Sequence, residues 1–153
     1  MRLSIQFLSA PSALVLLGCI VAGQASALDF KSIGAVPAVL YDAPSARGKK
    51  VFVAPRNMPV EVILTYGEWS KVRDASGDLA WVESKALAAK RFVVVKAASG
   101  RVRSGPDDAS PVIFSAEKNV VLEMVEPVST GWVKVRHRDG QSGFVKAAEV
   151  WGE

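Results

Sequence analysis

Cysteine is almost missing from this chain: Cys19 is the only one among 153 residues. No intramolecular disulfide can form, so even an oxidising compartment would give the fold no covalent staple. Histidine is as scarce, with His137 alone. That leaves Ser-His-Asp and Cys-His arrangements with little support and zinc sites with almost none. Catalysis would have to come from carboxylates by themselves, so the chain is read as non-enzymatic and no cofactor or metal is expected. His137-Arg138-Asp139 spells a kinase-like triplet, but no Gly-rich nucleotide loop or strand-lysine motif accompanies it. Asp107-Asp108 lies in a Gly-Pro turn, where a solvated loop outranks an acid–base pair or a calcium ligand. Helical periodicity is lacking as well beyond the first 27 residues, apart from a single turn near Ser84 to Ala88.

What is present begins with a leader. Arg2 is the one charge in residues 1–27, an apolar run is centred on Ala13 to Ala22, and Ala25-Ser26-Ala27 supplies small residues for a signal peptidase. The run is too short and too early for a convincing membrane span. A secretory signal cleaved after Ala27 is expected, placing the mature protein in the periplasm or outside the cell. Leu16-Leu17-Gly18-Cys19 offers the alternative of a lipoprotein anchored through Cys19, although Leu17 is large for its place. A membrane partner is expected only in that case. Cleavage removes one of the 19 basic residues, leaving 18 against 15 acidic ones and a net charge of +3. So mild an imbalance suits docking on anionic envelope material and gives no support for nucleic acid.

The remainder is written twice. Glu68-Trp69-Ser70-Lys71-Val72-Arg73 and, later, Trp81-Val82 return 63 positions on as Gly131-Trp132-Val133-Lys134-Val135-Arg136 and Phe144-Val145. Leu40 to Pro44 matches Val102 to Pro106, and Ser84 to Leu87 matches Ala147 to Val150. A repeat of this length is a whole small domain. The boundaries are set at 28–34 for a lead-in, 35–88 for a first domain, 89–91 for a linker and 92–152 for a second domain. Val60 to Tyr66 alternates and ends at Gly67; Val120 to Val125 is apolar and ends before Pro127; Val93 to Val95 opens the second unit. Short segments between close-set turns predict an all-β fold of two tandem barrels. A unit of about 60 residues buries only ~60% of its unfolded surface, so the two are expected to pack together.

Burial decides the register of the repeated hairpin. A two-residue Asp139-Gly140 loop would turn His137, Ser142 and Lys146 inward. A three-residue Asp139-Gly140-Gln141 loop, with Gly140 left-handed, instead pairs Val135 with Val145 and collects Val133, Val135, Val145 and Ala147 inside. The first unit then buries Val72 and Val82, with Ser70 the weak member. Outward go Trp69, Lys71, Arg73, Trp81 and Glu83 in the first unit, and Trp132, Lys134, Arg136, Phe144 and Lys146 in the second. This register sets Arg73 beside Trp81, Arg136 beside Phe144, Lys71 opposite Glu83 and Lys134 opposite Lys146. Such a strip could simply cover the barrel wall or the contact between domains. Exposed Trp beside Arg is also the composition of binding hot spots. Trp69, Trp81, Trp132 and Phe144 are therefore candidates to pack on a ligand, with Arg73, Lys134 and Arg136 contacting its carboxylates.

These phrases, in this order over residues 35–152, resemble tandem bacterial SH3-like domains. The second unit carries the likeness through Val102-Arg103-Ser104-Gly105-Pro106, Gly131 to Arg136, Asp139-Gly140 and Gly143-Phe144-Val145. The first carries it through Gly67, Trp69, Lys71-Val72-Arg73, Gly77 and Trp81-Val82. The resemblance implies small five-stranded β-barrels that recognise peptidoglycan or peptides in the bacterial envelope. Ala38-Val39-Leu40-Tyr41-Asp42 resembles the start of the aromatic motif with which eukaryotic relatives hold Pro-rich helices. Arg103 stands where Tyr41 does, and Ser84-Lys85 and Ala147-Ala148 replace the expected Pro-Tyr pair, which argues against a Pro-rich ligand. The expected function is an exported binding protein for peptidoglycan or peptide; the alternative is a structural adaptor docked on another envelope protein.

Overall fold

The computed structural model describes residues 27–153. The leader, its cleavage site and Cys19 lie outside the described residues or at their edge. Two seven-stranded antiparallel sheets follow one another along the chain, each closed on its own core. The first comprises β1 (Phe30–Ile33), β2 (Ala38–Tyr41), β3 (Lys50–Ala54), β4 (Pro59–Tyr66), β5 (Trp69–Arg73), β6 (Leu79–Glu83) and β7 (Leu87–Ala88). The second repeats this with β8 (Phe92–Val95), β9 (Ser99–Arg103), β10 (Val112–Glu117), β11 (Val121–Ser129), β12 (Trp132–Arg136), β13 (Ser142–Lys146) and β14 (Val150–Trp151). The strand order is β3-β2-β6-β5-β4-β1-β7 in the first sheet, and the second keeps the same order with its own strands. Each sheet has seven strands where five were expected, and the hairpins β2–β3 and β9–β10 belong to the cores through Ala38, Leu40 and Ala54 in the first unit and Val102 and Ala116 in the second.

Alternating valines seal the cores. Val72 and Val82 are buried with Ile33, Leu40 and Val60, and Val133, Val135 and Val145 with Val102, Leu122 and Val150. Ser70 is buried too, and its hydroxyl is satisfied by that of Ser84 at 2.7 Å. The expected turn near Ser84 is a 3₁₀ turn over Ser84–Ala86, repeated at Ala147–Glu149. Residues 28–34 are more than a lead-in: Phe30–Ile33 is a strand of the first sheet, paired with both β4 and β7. Ser32 and Lys31 break the apolar run there, which hid the strand from a pattern reading, whereas its counterpart Phe92–Val95 is apolar throughout. β11 also runs on through Pro127. Its register shifts between Glu126 and Ser129, so the missing amide hydrogen of proline falls in an irregular stretch of the ladder.

The hairpin faces are as expected, but the pairs are displaced by two. Val133 lies opposite Val145 and Val135 opposite Gly143, so Arg138-Asp139-Gly140 form the loop and His137 pairs with Gln141. Gly140 has φ 95°, in the left-handed region. A two-residue slip preserves inside and outside while changing every partner. The facing pairs are thus Lys71 with Trp81, Trp69 with Glu83, Lys134 with Phe144 and Trp132 with Lys146. Gly143 explains the choice: a Cβ there would collide with the Arg103 carbonyl oxygen and stand 2.8 Å from Val102 Cγ1. Only a residue without a side chain lets β13 pass this close under β9, and it comes to rest opposite Val135.

The barrels meet through the linker and through both ends of the described residues. Phe30 of the first packs edge-to-face on Trp151 of the second, with ring centroids 5.0 Å apart. Arg91 lies 5.4 Å over the Phe30 ring, and its guanidinium donates to the Gly152 carbonyl at 2.7 Å. The Ser32 hydroxyl donates to the Lys90 carbonyl at 2.6 Å. Burial lowers the Arg91 pKa from its ordinary value, opposed by the charges of Asp29 and Glu153.

Candidate functional site

The outer face of the first barrel gathers three aromatic side chains from three strands. β2 ends at Tyr41, which lies beside Trp81 of β6 in the sheet. Trp69 opens β5 directly after the tight Gly67-Glu68 turn, where Gly67 has φ 56°. Tyr41 and Trp69 meet edge-to-face, their centroids 5.4 Å apart and their planes at 88°. That arrangement sets the positive edge of one ring against the negative face of the other and holds both half-exposed.

A groove flanks this pair. On one side a hollow of about 530 Å³ is bounded by Trp69, the Pro44-Ser45-Ala46 turn, Glu68, Glu83 and Lys85. On the other a hollow of about 420 Å³ is bounded by Tyr41, the Gly34-to-Val39 segment, Glu83 and Lys85. Glu83 and Lys85 are common to both and pair at 2.6 Å; the hydrogen bond and charge of Glu83 raise the Lys85 pKa from its ordinary value. The result is a channel with aromatic walls, acidic groups along it and one lysine already engaged. It suits an extended chain that offers apolar groups to the rings and amines to the carboxylates.

The second barrel has the same scaffold and different contents. Arg103 replaces Tyr41 and donates to the Ser110 carbonyl at 2.8 Å. Lys146 replaces Glu83; its ammonium lies 5.7 Å over the Trp132 ring and 2.7 Å from Asp108. The Lys146 hydrogen bond and charge hold the Asp108 carboxyl below its ordinary value despite the cost of desolvation. Gly131 replaces Glu68. The chain therefore covers the Trp132 face with its own cation, where the first barrel leaves Trp69 beside a hollow.

The remaining candidates divide in the same way. Trp81 carries Lys71 at 5.9 Å from its centroid, and Phe144 carries Lys134 at 5.9 Å. Arg73 is held by Glu61 through two bonds of 3.0 and 3.1 Å, with the Glu61 side chain only 10% exposed. Arg136 reaches Glu123 at 3.1 Å, and Lys90 reaches the same carboxylate at 3.2 Å. Lys134 pairs with Glu126 at 2.6 Å. All three candidate cations are thus engaged within their own sheets. Trp69 and Trp81 share a face with Tyr41, while Trp132 and Phe144 belong to the other barrel. Tyr41, Glu68, Glu83 and Lys85 are absent from the set of sequence candidates. The signal for them lay in the two copies themselves, since Tyr41, Glu68 and Glu83 become Arg103, Gly131 and Lys146.

His137 lies at the mouth of the hairpin, its Nδ1 2.9 Å from Asp139. Among the described residues no group of three His, Cys, Asp or Glu side chains could hold a metal ion. A family model described as "Bacterial SH3 domain" matches the chain twice, over residues 34–88 and 96–152. No curated protein matches it. Among solved structures the chain is similar to NlpC1 from Trichomonas vaginalis, at 9% identity and a TM-score of 0.39, over 90% of this chain and 51% of that one. NlpC2 from the same organism matches at 11% identity and a TM-score of 0.39, over 83% and 49% of the two chains. An NlpC/P60 family protein from Bacillus cereus matches at 16% identity and a TM-score of 0.38, over 80% and 55%. The chain spans about half the length of these proteins.

Proposed function

The chain belongs to the bacterial SH3 domain family, a family of binding modules, and on that premise we propose that it is an exported, non-enzymatic protein that holds peptide chains of the bacterial envelope in the groove of its first barrel. The peptides of peptidoglycan are the foremost candidates, because they combine amines with apolar side chains in an extended backbone. One observation carries this reading: Tyr41 and Trp69, held edge-to-face at 5.4 Å, stand between two hollows edged by Glu68 and Glu83. Rings fixed in this way lose little freedom when a ligand packs on them. The leader supports export. The second barrel serves as a scaffold, since Lys146 and Asp108 already occupy the Trp132 face.

The test is co-sedimentation with purified cell wall, comparing the mature protein with Trp69→Ala and Trp132→Ala. Trp69→Ala is expected to lose retention by about tenfold, the scale of one well-packed hot-spot ring, and Trp132→Ala to keep it. Equal retention of the two variants, or no retention of the wild type, overturns the reading. Binding to soluble peptides without wall binding would transfer the site to a protein partner.

A further inference from the structure

On the side of the first barrel away from the Tyr41–Trp69 groove, the two barrels enclose a cleft of about 710 Å³. Its floor comes from β2, β3 and β6: Leu40, Val51, Phe52 and Leu79, with Val94 and Val121 of the second barrel opposite. Val51, Phe52 and Leu79 are 50, 49 and 54% exposed, a high price in solvated apolar area for a chain this size. Local geometry creates the exposure. β2 and β3 pair Leu40 with Phe52 and Tyr41 with Lys50, so Val51 is the extra residue of a bulge. A bulge breaks the alternation of the strand and re-aims a side chain, which lets Val51 and its neighbour Phe52 line one cleft. β3 also ends the sheet, leaving one backbone edge unpaired.

The rim has a single sign. Asp42, Asp74 and Asp78 line the cleft, and no lysine or arginine does, in a chain whose net charge is +4. None of the three forms an ion pair among the described residues. Two are fixed by turn hydrogen bonds through one oxygen. Asp74 Oδ1 accepts from the Ser76 and Asp78 amides at 2.9 and 3.0 Å, and Asp42 Oδ1 accepts from the Lys49 amide at 2.8 Å. Each has a second carboxylate oxygen left for a cation. Apart from His137 with Asp139, the ion pairs among the described residues match lysine or arginine with a carboxylate; here carboxylates gather around apolar side chains with no partner supplied.

We propose that this cleft is a second binding site, which takes an extended peptide segment of a partner protein carrying a large apolar side chain between lysine or arginine residues. The apolar side chain covers Phe52 and Leu79, and the flanking cations reach the three aspartates. Val94 and Val121 close the far wall, so the site exists only while the barrels are docked. An acidic or phosphorylated segment would meet three like charges, and a purely apolar one would leave those charges partly desolvated and unpaired.

The test uses the full mature chain and a fluorescein-labelled synthetic peptide with Lys-Leu-Lys-Phe-Lys at its centre, read by anisotropy. Matched probes replace every lysine by glutamate, or leucine and phenylalanine by glycine. The lysine probe is expected to bind, more weakly as salt is raised, and both matched probes to fail. The D74N/D78N variant, whose amides can still accept the turn hydrogen bonds, should bind about tenfold more weakly, as two partly exposed charge pairs would. Leu79→Arg should abolish binding without lowering the unfolding midpoint, because Leu79 is already half in water. Because the Tyr41–Trp69 groove also suits amines beside apolar groups, each probe is measured in the Trp69→Ala background as well. Binding that persists there and is lost on adding the cleft substitutions belongs to the cleft, so this site can fail while the first groove stands, or the reverse. Equal binding of the glutamate probe, wild-type affinity in D74N/D78N, or loss of binding in Trp69→Ala overturns the proposal. So does concentration-dependent dimerisation of the chain alone that Leu79→Arg removes, which would assign the cleft to a second copy.

Discussion

Replacing Phe30 and Trp151 by leucine, singly and together, tests whether the two barrels stabilise one another. Phe30 is 7% exposed and its ring meets Trp151 edge-to-face at 5.0 Å, with planes at 83°. Phe30→Leu nearly conserves volume and should cost about 1 kcal/mol. Trp151→Leu removes part of a half-buried ring and should cost about 1–2 kcal/mol. Each variant also abolishes the ring–ring contact, worth about 0.5–1.5 kcal/mol beyond burial. The double variant can lose that contact only once, so it should be about 1 kcal/mol more stable than the two single costs imply. With a urea slope of about 1.5 kcal/mol per molar, the excess appears as roughly 0.7 M in the unfolding midpoint. Far-UV circular dichroism suits the measurement, because Trp151 itself is altered. Additivity within about 0.3 kcal/mol would refute the reasoning and leave the barrels as independent beads.

Other outcomes follow from single residues. Arg73→Ala should destabilise the first barrel by about 2–3 kcal/mol, because it strands the Glu61 carboxylate, which is 10% exposed. Adding Glu61→Gln should restore part of that loss in a denaturant titration, which a ligand-contacting role for Arg73 does not require. Gly143→Ala should cost about 3 kcal/mol or more in the same assay, since the new methyl group meets the Arg103 carbonyl and Val102 Cγ1. In Asp139, hydrogen bonds from the Gln141 backbone, the Gln141 side chain and His137 lower the carboxyl pKa from 3.8 to about 2. Its folded pKa lies below the unfolded one, so its contribution is present above pH 3.8 and lost as pH falls towards 2. Asp139→Asn should therefore flatten the acid limb of the stability–pH profile in that window, and an unchanged limb would count against the hairpin contacts.

Some of this architecture could be read from the chain alone, and the reason is periodicity. Val72, Val82, Val133, Val135 and Val145 alternate with charged or aromatic residues, which assigns each an inner or outer face before any strand is paired. The two copies of the Trp-x-Lys-Val-Arg phrase gave the number of barrels. The hairpin partners were beyond that kind of evidence. A slip of two residues leaves every side chain on its own face, so burial cannot tell Val135 opposite Val145 from Val135 opposite Gly143. What chose between them was the close passage of β9 over Gly143, a contact between strands about 40 positions apart.

Tertiary structure alone decided which aromatic face stays open. Trp69 and Trp132 sit in matching sequences, yet one leans on Tyr41 beside a hollow and the other lies under Lys146, held there by Asp108. The cleft between the barrels was likewise invisible in advance, since it joins Phe52 and Leu79 to Val94 and Val121 across a domain contact. Local alternation is a property of neighbouring residues, and the strands of the repeated hairpin carry it. Surfaces made by distant segments depend on how closed barrels pack, and that is settled only when the whole chain has folded.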